Sequence, residues 1–324
     1  MASQTTYRTN IENQRIYNLI WSQMPEMQNR NSSSWWFFLM FPKTEEGYGP
    51  RQIMYAIATR VGDRVRVNDI WLPGIDLNRP IVDGVDKFNA INVGWYADDK
   101  VHEYIINEGA SVVMSENEQF IRSWSDSGND GGHGIEIRSS KNRPLALETI
   151  VKAPNGSAHF EGWGDLDSLH SSPHESINID TPLGGTHFIA WRRMNFEGEF
   201  ELPTGTEHLS GICYFQRPCL NIPLFPWKWI WSLFPDGSMF SSYVPYVGFN
   251  LLRKGYKFFK SERIEQITLP IGPSAFWDWP GPSEEIRFTK ASITPLFDLG
   301  PHPQFDVRVS NNQGDHLTFR AETY

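Results

Sequence analysis

The stretch WKWIWSLF (Trp227–Phe234) is followed by PDGS (Pro235–Ser238) and then by MFSSYVPYV (Met239–Val247). Two runs rich in aromatic and branched side chains, on either side of a Pro-Asp-Gly sequence, are typical of two antiparallel strands joined by a tight turn. In the first run a tryptophan recurs at every second position, so on a strand these rings point to one face. This segment therefore predicts a β-hairpin with one aromatic face.

The same rhythm extends from Trp35 to the end of the chain, and most of the apolar runs alternate with the period of two that half-buried strands show. One amphipathic helix is predicted over Asn10–Met24. The fold class that follows is all-β with a short N-terminal helix. The predicted strands are Gln52–Arg60, Arg64–Trp71, Ile91–Ala97, Val101–Asn107, Glu118–Trp124, Gly134–Arg138, Trp227–Phe234, Met239–Val247, Ile264–Leu269, Ile286–Leu296, Phe305–Val309 and Leu317–Glu322.

The length of 324 residues favours two domains. In Leu220–Pro226 two prolines, Pro223 and Pro226, remove backbone donors that a central strand needs. We place the boundary there, with an N-terminal β-sandwich or barrel over residues 1–223 and a C-terminal domain over residues 224–324. The meander of strands in the second part suits an up-and-down barrel that encloses a ligand.

Composition narrows the function. A net charge of −9, without a run of Lys or Arg, disfavours nucleic acid as a partner. No apolar stretch is long enough to span a membrane and the polar start does not resemble a signal peptide, so we expect a cytoplasmic protein. No phosphate loop or metal-ligand spacing occurs, so we expect no cofactor and no structural metal. Aromatic residues make up 14% of the chain and 13 are Trp. These rings either fill β cores, where aromatics pack well, or line an apolar cavity, and we expect a clustered set to line the cavity.

Three segments, in this order, resemble the carotenoid 1,2-hydratase and AttH-like superfamily, which includes fungal Diels–Alderases. They are HFEGWG (His159–Gly164), GICYFQR (Gly211–Arg217) and the aromatic hairpin Trp227–Ser238, and the likeness spans about Gly156 to Ser238. The resemblance implies two lipocalin-like β domains. It also implies a cofactor-free enzyme that folds an apolar isoprenoid or polyene in a Trp-lined cavity for cyclisation, a pericyclic reaction or hydration.

The second segment departs from the superfamily pattern. Gln216 and Arg217 stand where the superfamily carries an acidic residue and a histidine, and neither side chain can cycle a proton. Tyr214, Gln216 and Arg217 can instead hold polar groups of a substrate, which suits a cyclase or pericyclase better than a hydratase. On a strand Tyr214 and Gln216 share one face while Phe215 and Arg217 share the other, and we expect the first pair to meet the substrate.

Two carboxylates are further catalytic candidates. Glu161 and Asp165 flank Trp163, and a carboxyl group beside aromatic rings can have a raised pKa and act as an acid. The alternative is that both are hydrogen-bonded structural carboxylates or turn residues.

The remaining candidates are substrate-binding. On the predicted strand Thr186–Met194, His187 and Trp191 alternate to one face, whereas the adjacent Arg192 and Arg193 should point to opposite faces. The histidine is either a binding group or a satisfied core residue. The last binding candidates are Trp163, Trp227 and Trp229, and the face shared by Trp227, Trp229 and Trp231 either lines the cavity or packs against the other domain.

A second function remains open from the sequence alone. A lipocalin-like carrier that binds a lipid or pigment without transforming it needs the same apolar interior as an enzyme. The expected partner in either case is a hydrophobic small molecule, and the sequence does not indicate an oligomeric state.

Overall fold

The computed structural model describes residues 11–22, 33–60, 64–67, 70–73, 85–125, 132–164, 172–181, 184–220, 227–248, 266–268, 274–280, 285–296 and 304–322. In these ranges the chain is almost entirely β, with one short helix, α1, over residues 11–18. The chain divides into two compact units. Unit 1 comprises Met1–Glu45 with Gly49–Ile222, and unit 2 comprises Glu46–Tyr48 with Pro223–Tyr324.

The strands follow the chain in this order: β1 (Ser33–Thr44), β2 (Gly47–Tyr48), β3 (Gln52–Arg60), β4 (Arg64–Val67), β5 (Ile70–Pro73), β6 (Val85–Ala97), β7 (His102–Ser115), β8 (Phe120–Ser125), β9 (Gly134–Ser139), β10 (Ala146–Ala153), β11 (Gly156–Gly164), β12 (His174–Thr181), β13 (Gly184–Leu202), β14 (Gly205–Leu220), β15 (Trp227–Leu233), β16 (Met239–Gly248), β17 (Gln266–Thr268), β18 (Ser274–Asp278), β19 (Glu285–Phe288), β20 (Lys290–Pro295), β21 (Gln304–Ser310) and β22 (His316–Glu322).

Ten strands of unit 1 close into an antiparallel barrel. Their order is β11-β10-β9-β8-β7-β6-β3-β1-β14-β13, and the pairing of β13 with β11 joins the last strand to the first. The long strand β13 also pairs with β12 along its first half. Closure satisfies the backbone groups that an open sheet would leave at its edges. The predicted all-β, lipocalin-like fold is confirmed.

Alternate residues of each barrel strand form one aromatic and aliphatic core. Phe38 on β1 lies against Phe160 on β11 with ring centroids 5.4 Å apart, and against Phe215 on β14 at 4.8 Å. Phe160 stacks in turn on Phe200 of β13 at 5.6 Å. Ring contacts of this kind cross the barrel and join strands that are distant in the sequence.

The helix α1 covers one end of the barrel. Its side chains Ile16 and Tyr17 belong to the barrel core, together with Ile20 and Trp21 in the turn that follows. The Tyr17 hydroxyl donates to the carbonyl oxygen of Ala146, 2.7 Å away, at the start of β10. The predicted helix is confirmed but ends earlier than Met24, because the amides of residues 19–21 bond carbonyls three residues back, as in a tightened last turn.

Unit 2 contains two sheets in the described residues. One has the order β15-β16-β18-β19 with β17 beside β16, and the other has the order β20-β21-β22. The predicted hairpin is present: β15 pairs with β16, Gly237 has a positive φ of 81°, and the Ser238 amide donates to Asp236 Oδ1 at 2.9 Å. A core that includes Phe240 and Val307 draws on both sheets.

Two predicted strands are each divided in the structure. Arg64–Trp71 forms β4 and β5, which pair with each other in antiparallel fashion. Ile286–Leu296 forms β19 and β20, which belong to different sheets. Periodicity along one run reveals neither a reversal of the chain nor a change of sheet partner, so neither division could be predicted.

No helix among the described residues is long and apolar enough to cross a membrane.

The seam that closes the barrel depends on a glycine. Gly198 of β13 faces Phe160 of β11, and a Cβ at Gly198 would lie 2.2 Å from the carbonyl oxygen of His159 and 2.5 Å from the Cα of Phe160. Both neighbours are backbone atoms that cannot yield without shifting the strand. We expect Gly198→Ala to lower the free energy of unfolding by about 1–3 kcal/mol, measured by urea denaturation. Gly49→Ala is the matched control, because nothing lies within 4 Å of its added Cβ. Equal stability of the two variants would contradict this account of the seam.

Candidate functional site

The candidate site begins with the alternation along β14, which runs between β1 and β13. Phe215 is buried, and so are Cys213 and Arg217, which lie two residues before and after it. Phe215 and Cys213 belong to the barrel core. Tyr214 and Gln216 therefore lie on the opposite, outer face of the strand. This is the division of faces predicted from the sequence.

Tyr214 and Gln216 are buried although they lie outside the barrel core, with relative exposures of 4% and 8%. The Tyr214 hydroxyl donates to Oε1 of Gln216 over 3.1 Å. Burial raises the pKa of Tyr214 above its ordinary value, and the nearby Arg192 opposes this shift only in part. The phenol thus keeps its proton at neutral pH and remains a hydrogen-bond donor.

A β-bulge lies directly opposite Tyr214. Trp191 pairs with Phe215 and Met194 pairs with Cys213, so both Arg192 and Arg193 of β13 oppose the single residue Tyr214. The two arginines, which were predicted to point to opposite faces, differ in exposure: Arg193 is buried and Arg192 is half-buried. Bulges re-aim side chains and occur often beside active sites. Here the bulge brings the positive charge of Arg192 within electrostatic range of the Tyr214 phenol.

Arg217 lies on the inner side of β14, where it links three segments. Its guanidinium stacks on the ring of Trp36, with the central carbon 4.0 Å from the ring centroid. Nη1 donates to Ser34 Oγ at 2.5 Å and Nη2 to the carbonyl oxygen of Ser22 at 3.2 Å. Arg217 therefore ties β14 to β1 and to the residues that follow α1, away from Tyr214 and Gln216.

His187 and Trp191 do lie on one side of β13, but their surroundings differ. Nε2 of His187 is 2.7 Å from Oε1 of Glu175, and the other oxygen of Glu175 accepts from Arg15 at 2.5 Å. The ring of Trp191 is in the barrel core, with its centroid 6.4 Å from that of Tyr17. His187 is thus part of an ionic link between β13, β12 and α1.

Glu161 and Trp163 lie on the outer face of β11, opposite the core residue Phe160. Glu161 accepts a hydrogen bond from the Ser140 hydroxyl and pairs with Nε of Arg143 at 2.9 Å. The Arg143 guanidinium stacks over Trp163 at 3.8 Å. These contacts match the structural alternative weighed for Glu161. Asp165 lies outside the described residues.

The tryptophans of β15 belong to unit 2. Ile230 packs on the core of that unit, so Trp229 and Trp231 point to the other face of the strand, where Trp231 is buried and Trp229 is half-buried. The side chain of Trp227 lies outside the described residues.

The structure therefore brings together two of the predicted catalytic residues, Tyr214 and Gln216, and places Glu161 elsewhere. Sequence reasoning missed the role of Arg192, since a bulge has no signature in a single sequence. It also did not single out Tyr55, a fully buried core residue. The Tyr55 ring packs so closely on Gly94 that a Cβ added to Gly94 would lie 2.7 Å from the ring.

Among the described aromatic side chains of the barrel core, three hold a polar atom without a hydrogen-bond partner: Tyr55 through its hydroxyl, and Trp21 and Trp191 through Nε1. A buried donor left in this state costs about 1–3 kcal/mol. Burial also raises the pKa of Tyr55 far above its ordinary value, so its hydroxyl is a permanent donor at neutral pH. These groups sit in the barrel core, separate from the Tyr214–Gln216 pair.

Neither a protein-family model nor a curated protein matches the chain. Among solved structures, the chain is similar to a protein assigned as AttH from Nitrosomonas europaea, with a TM-score of 0.49 and 12% identity over 90% of this chain and 81% of that one. It is also similar to kievitone hydratase from Nectria haematococca (TM-score 0.42, 12% identity, 89% and 77% covered) and to CghA with Sch210972 (0.40, 8%, 90% and 86%).

The ionic link at His187 leads to a pH prediction. Burial alone would raise the pKa of Glu175, but hydrogen bonds from Arg15 and His187 lower it below its ordinary value of 4.5. A carboxyl with a depressed pKa contributes stability above its unfolded-state pKa and loses it as the pH falls through the lower folded-state value. We expect Glu175→Gln to destabilise the protein by about 1 kcal/mol at pH 7, and the deficit to shrink below pH 4.5, measured by thermal unfolding.

Glu118→Gln, at an exposed turn, is the control for this series and should follow the unmodified protein at every pH. A Glu175→Gln deficit that stays constant from pH 7 down to pH 3 would show that the carboxylate charge is not what matters.

Proposed function

We propose that this protein is a cofactor-free enzyme that folds an apolar isoprenoid or polyene for cyclisation, a pericyclic reaction or hydration. One observation carries the proposal: the buried Tyr214–Gln216 pair on the outer face of β14, opposite the bulge at Arg192 and Arg193. These polar side chains lie on the face of β14 opposite the packed barrel core. The segment is also one of the three that resemble the superfamily.

The chemistry of the pair favours binding and orientation over proton transfer. The Tyr214 phenol, with its raised pKa, holds its proton too firmly to release it readily, and the Gln216 amide carries none to give. Both can donate hydrogen bonds to an oxygen on which negative charge builds up in the transition state. Restricting a flexible chain to one reactive conformer supplies the remaining acceleration through entropy already lost on binding.

Arg192 adds a fixed charge to this arrangement. A guanidinium near the Tyr214 phenol stabilises developing negative charge on the same side of the strand. Such a charge favours a substrate whose polar handle is a carbonyl or enol oxygen over a pure hydrocarbon. A carrier of a lipid or pigment remains the alternative, and turnover separates it from the enzyme.

The first test is to incubate the purified protein with a cell lipid extract and to analyse the extract and the bound fraction by mass spectrometry. We expect a new isomer or water adduct to accumulate over many turnovers without added metal or nucleotide. An unchanged ligand bound in stoichiometric amount, with no product, would identify a carrier instead.

The second test uses variants of the pair on the active fraction. Gln216→Ala and Tyr214→Phe should each remove about 1–3 kcal/mol of transition-state stabilisation, so the rate falls about ten- to a hundredfold while the circular dichroism spectrum is unchanged. Gln216→Glu supplies a carboxyl and should shift the product ratio toward the water adduct if burial raises its pKa. The direction of these changes follows from the hydrogen bonds lost or gained.

Glu161→Gln is the control, since Glu161 pairs with Arg143 on the outer face of β11. Its rate should remain within a factor of about two of the unmodified protein, because surface pairs contribute little. Full activity of Gln216→Ala together with loss in Glu161→Gln would move the active site to β11 and end the assignment to β14.

A further inference from the structure

Beneath α1, the covered end of the barrel contains a chain of ring contacts. Trp21, in the turn after α1, meets Tyr17 edge to face with centroids 5.9 Å apart, and Tyr17 meets Trp191 of β13 in the same geometry at 6.4 Å. All three belong to the barrel core and are at most 1% exposed. The region beneath α1 is thus lined by buried aromatic rings.

Polar groups in this region fall into two classes. The Tyr17 hydroxyl and the Trp36 indole are satisfied, the first by Ala146 and the second by the Ile20 carbonyl oxygen at 2.9 Å. The indole N–H groups of Trp21 and Trp191 have no hydrogen-bond partner among the described residues. Buried donors in native proteins are nearly always paired, so two such N–H groups in one cluster call for an acceptor that the described part of the chain does not supply.

We propose that the α1-covered end of the barrel binds the oxygen-bearing end of an apolar ligand, with the indole N–H groups of Trp21 and Trp191 as donors. The ligand class follows from the lining. Aromatic walls select an apolar skeleton, and neutral N–H donors select a neutral carbonyl or hydroxyl oxygen. This site is distinct from the Tyr214–Gln216 pair on the outer face of β14. The proposal can therefore be tested independently of the proposed function.

Access to the site requires α1 to move, because Ile16 and Tyr17 of α1, with Ile20 and Trp21 in the turn after it, pack in the barrel core. Hydrogen bonds also hold this segment. They include the bonds from the Tyr17 hydroxyl to Ala146, from Gln119 Nε2 to Asn18 Oδ1 at 3.0 Å, from Trp36 to the Ile20 carbonyl oxygen and from Arg217 to the Ser22 carbonyl oxygen. Arg15 adds a bond to Glu175.

The test follows the two N–H groups directly. Full-length protein labelled with ¹⁵N-tryptophan gives one indole signal for each of its 13 Trp residues, and Trp21→Phe and Trp191→Phe assign the two of interest. The probes are farnesylacetone, which carries a ketone, and farnesene, a hydrocarbon with a similar isoprenoid chain. We expect farnesylacetone to move the chemical shifts of both indole N–H protons downfield, because hydrogen bonding has this effect. Farnesene carries no acceptor, so we expect no downfield movement of either signal when it is added.

Affinity gives a second readout. In Trp191→Phe the ring largely remains and the N–H is lost, so the preference for farnesylacetone over farnesene should fall about tenfold. Trp36→Phe is the matched control, since its N–H is already bonded to Ile20. It should lower thermal stability and leave the preference between the two probes unchanged.

Three outcomes would overturn the proposal. The first is that neither probe binds. The second is that farnesylacetone binds without moving either indole signal. The third is that both signals already lie downfield in the ligand-free protein and stay there, which would identify buried water as the acceptor. Each differs from failure of the proposed function, which appears as absence of turnover or as full activity of Gln216→Ala.

Discussion

The pairing of β13 with β11 is the constraint on which unit 1 depends. It joins the ends of a ten-strand order into a closed barrel, and it does so across the close approach of Gly198 to Phe160. Closure fixes which side of every strand is interior. Once that is fixed, Phe215 must face the core and Tyr214 must face outward, so the position of the candidate site is a consequence of the seam.

Closure also explains why β13 carries the bulge. This strand pairs with β12 and β14 along its first half and with β11 and β14 along its second. Arg192 and Arg193 lie where β13 changes from one partner to the other. The core residues on either side of them are Trp191 and Met194. A strand that serves two neighbours in succession needs such an adjustment, and here it places a charged side chain opposite Tyr214.

Much of the fold could be predicted from the sequence, because alternation reports which residues share a face. β3 spans Gln52–Arg60 as predicted, and the hairpin around Gly237 follows from its turn residues. The order of strands in the barrel could not be predicted, since it depends on pairings between distant segments. The site was predictable to the same extent: alternation separated Tyr214 from Phe215, but nothing in one sequence indicated that Arg192 lies nearby or that Glu161 pairs with Arg143.

The two faces of β14 impose different chemistry on neighbouring residues. On the inner face Arg217 donates hydrogen bonds to Ser34 and Ser22 and stacks on the ring of Trp36. These contacts connect β14 to β1 and to the turn after α1. On the outer face the Tyr214 hydroxyl donates to Gln216, and this is the pair to which the proposed function assigns the substrate oxygen. The succession Tyr214-Phe215-Gln216-Arg217 therefore places the proposed binding pair and the hydrogen bonds of Arg217 on opposite faces of one strand, so that each can be altered by mutation of a different residue.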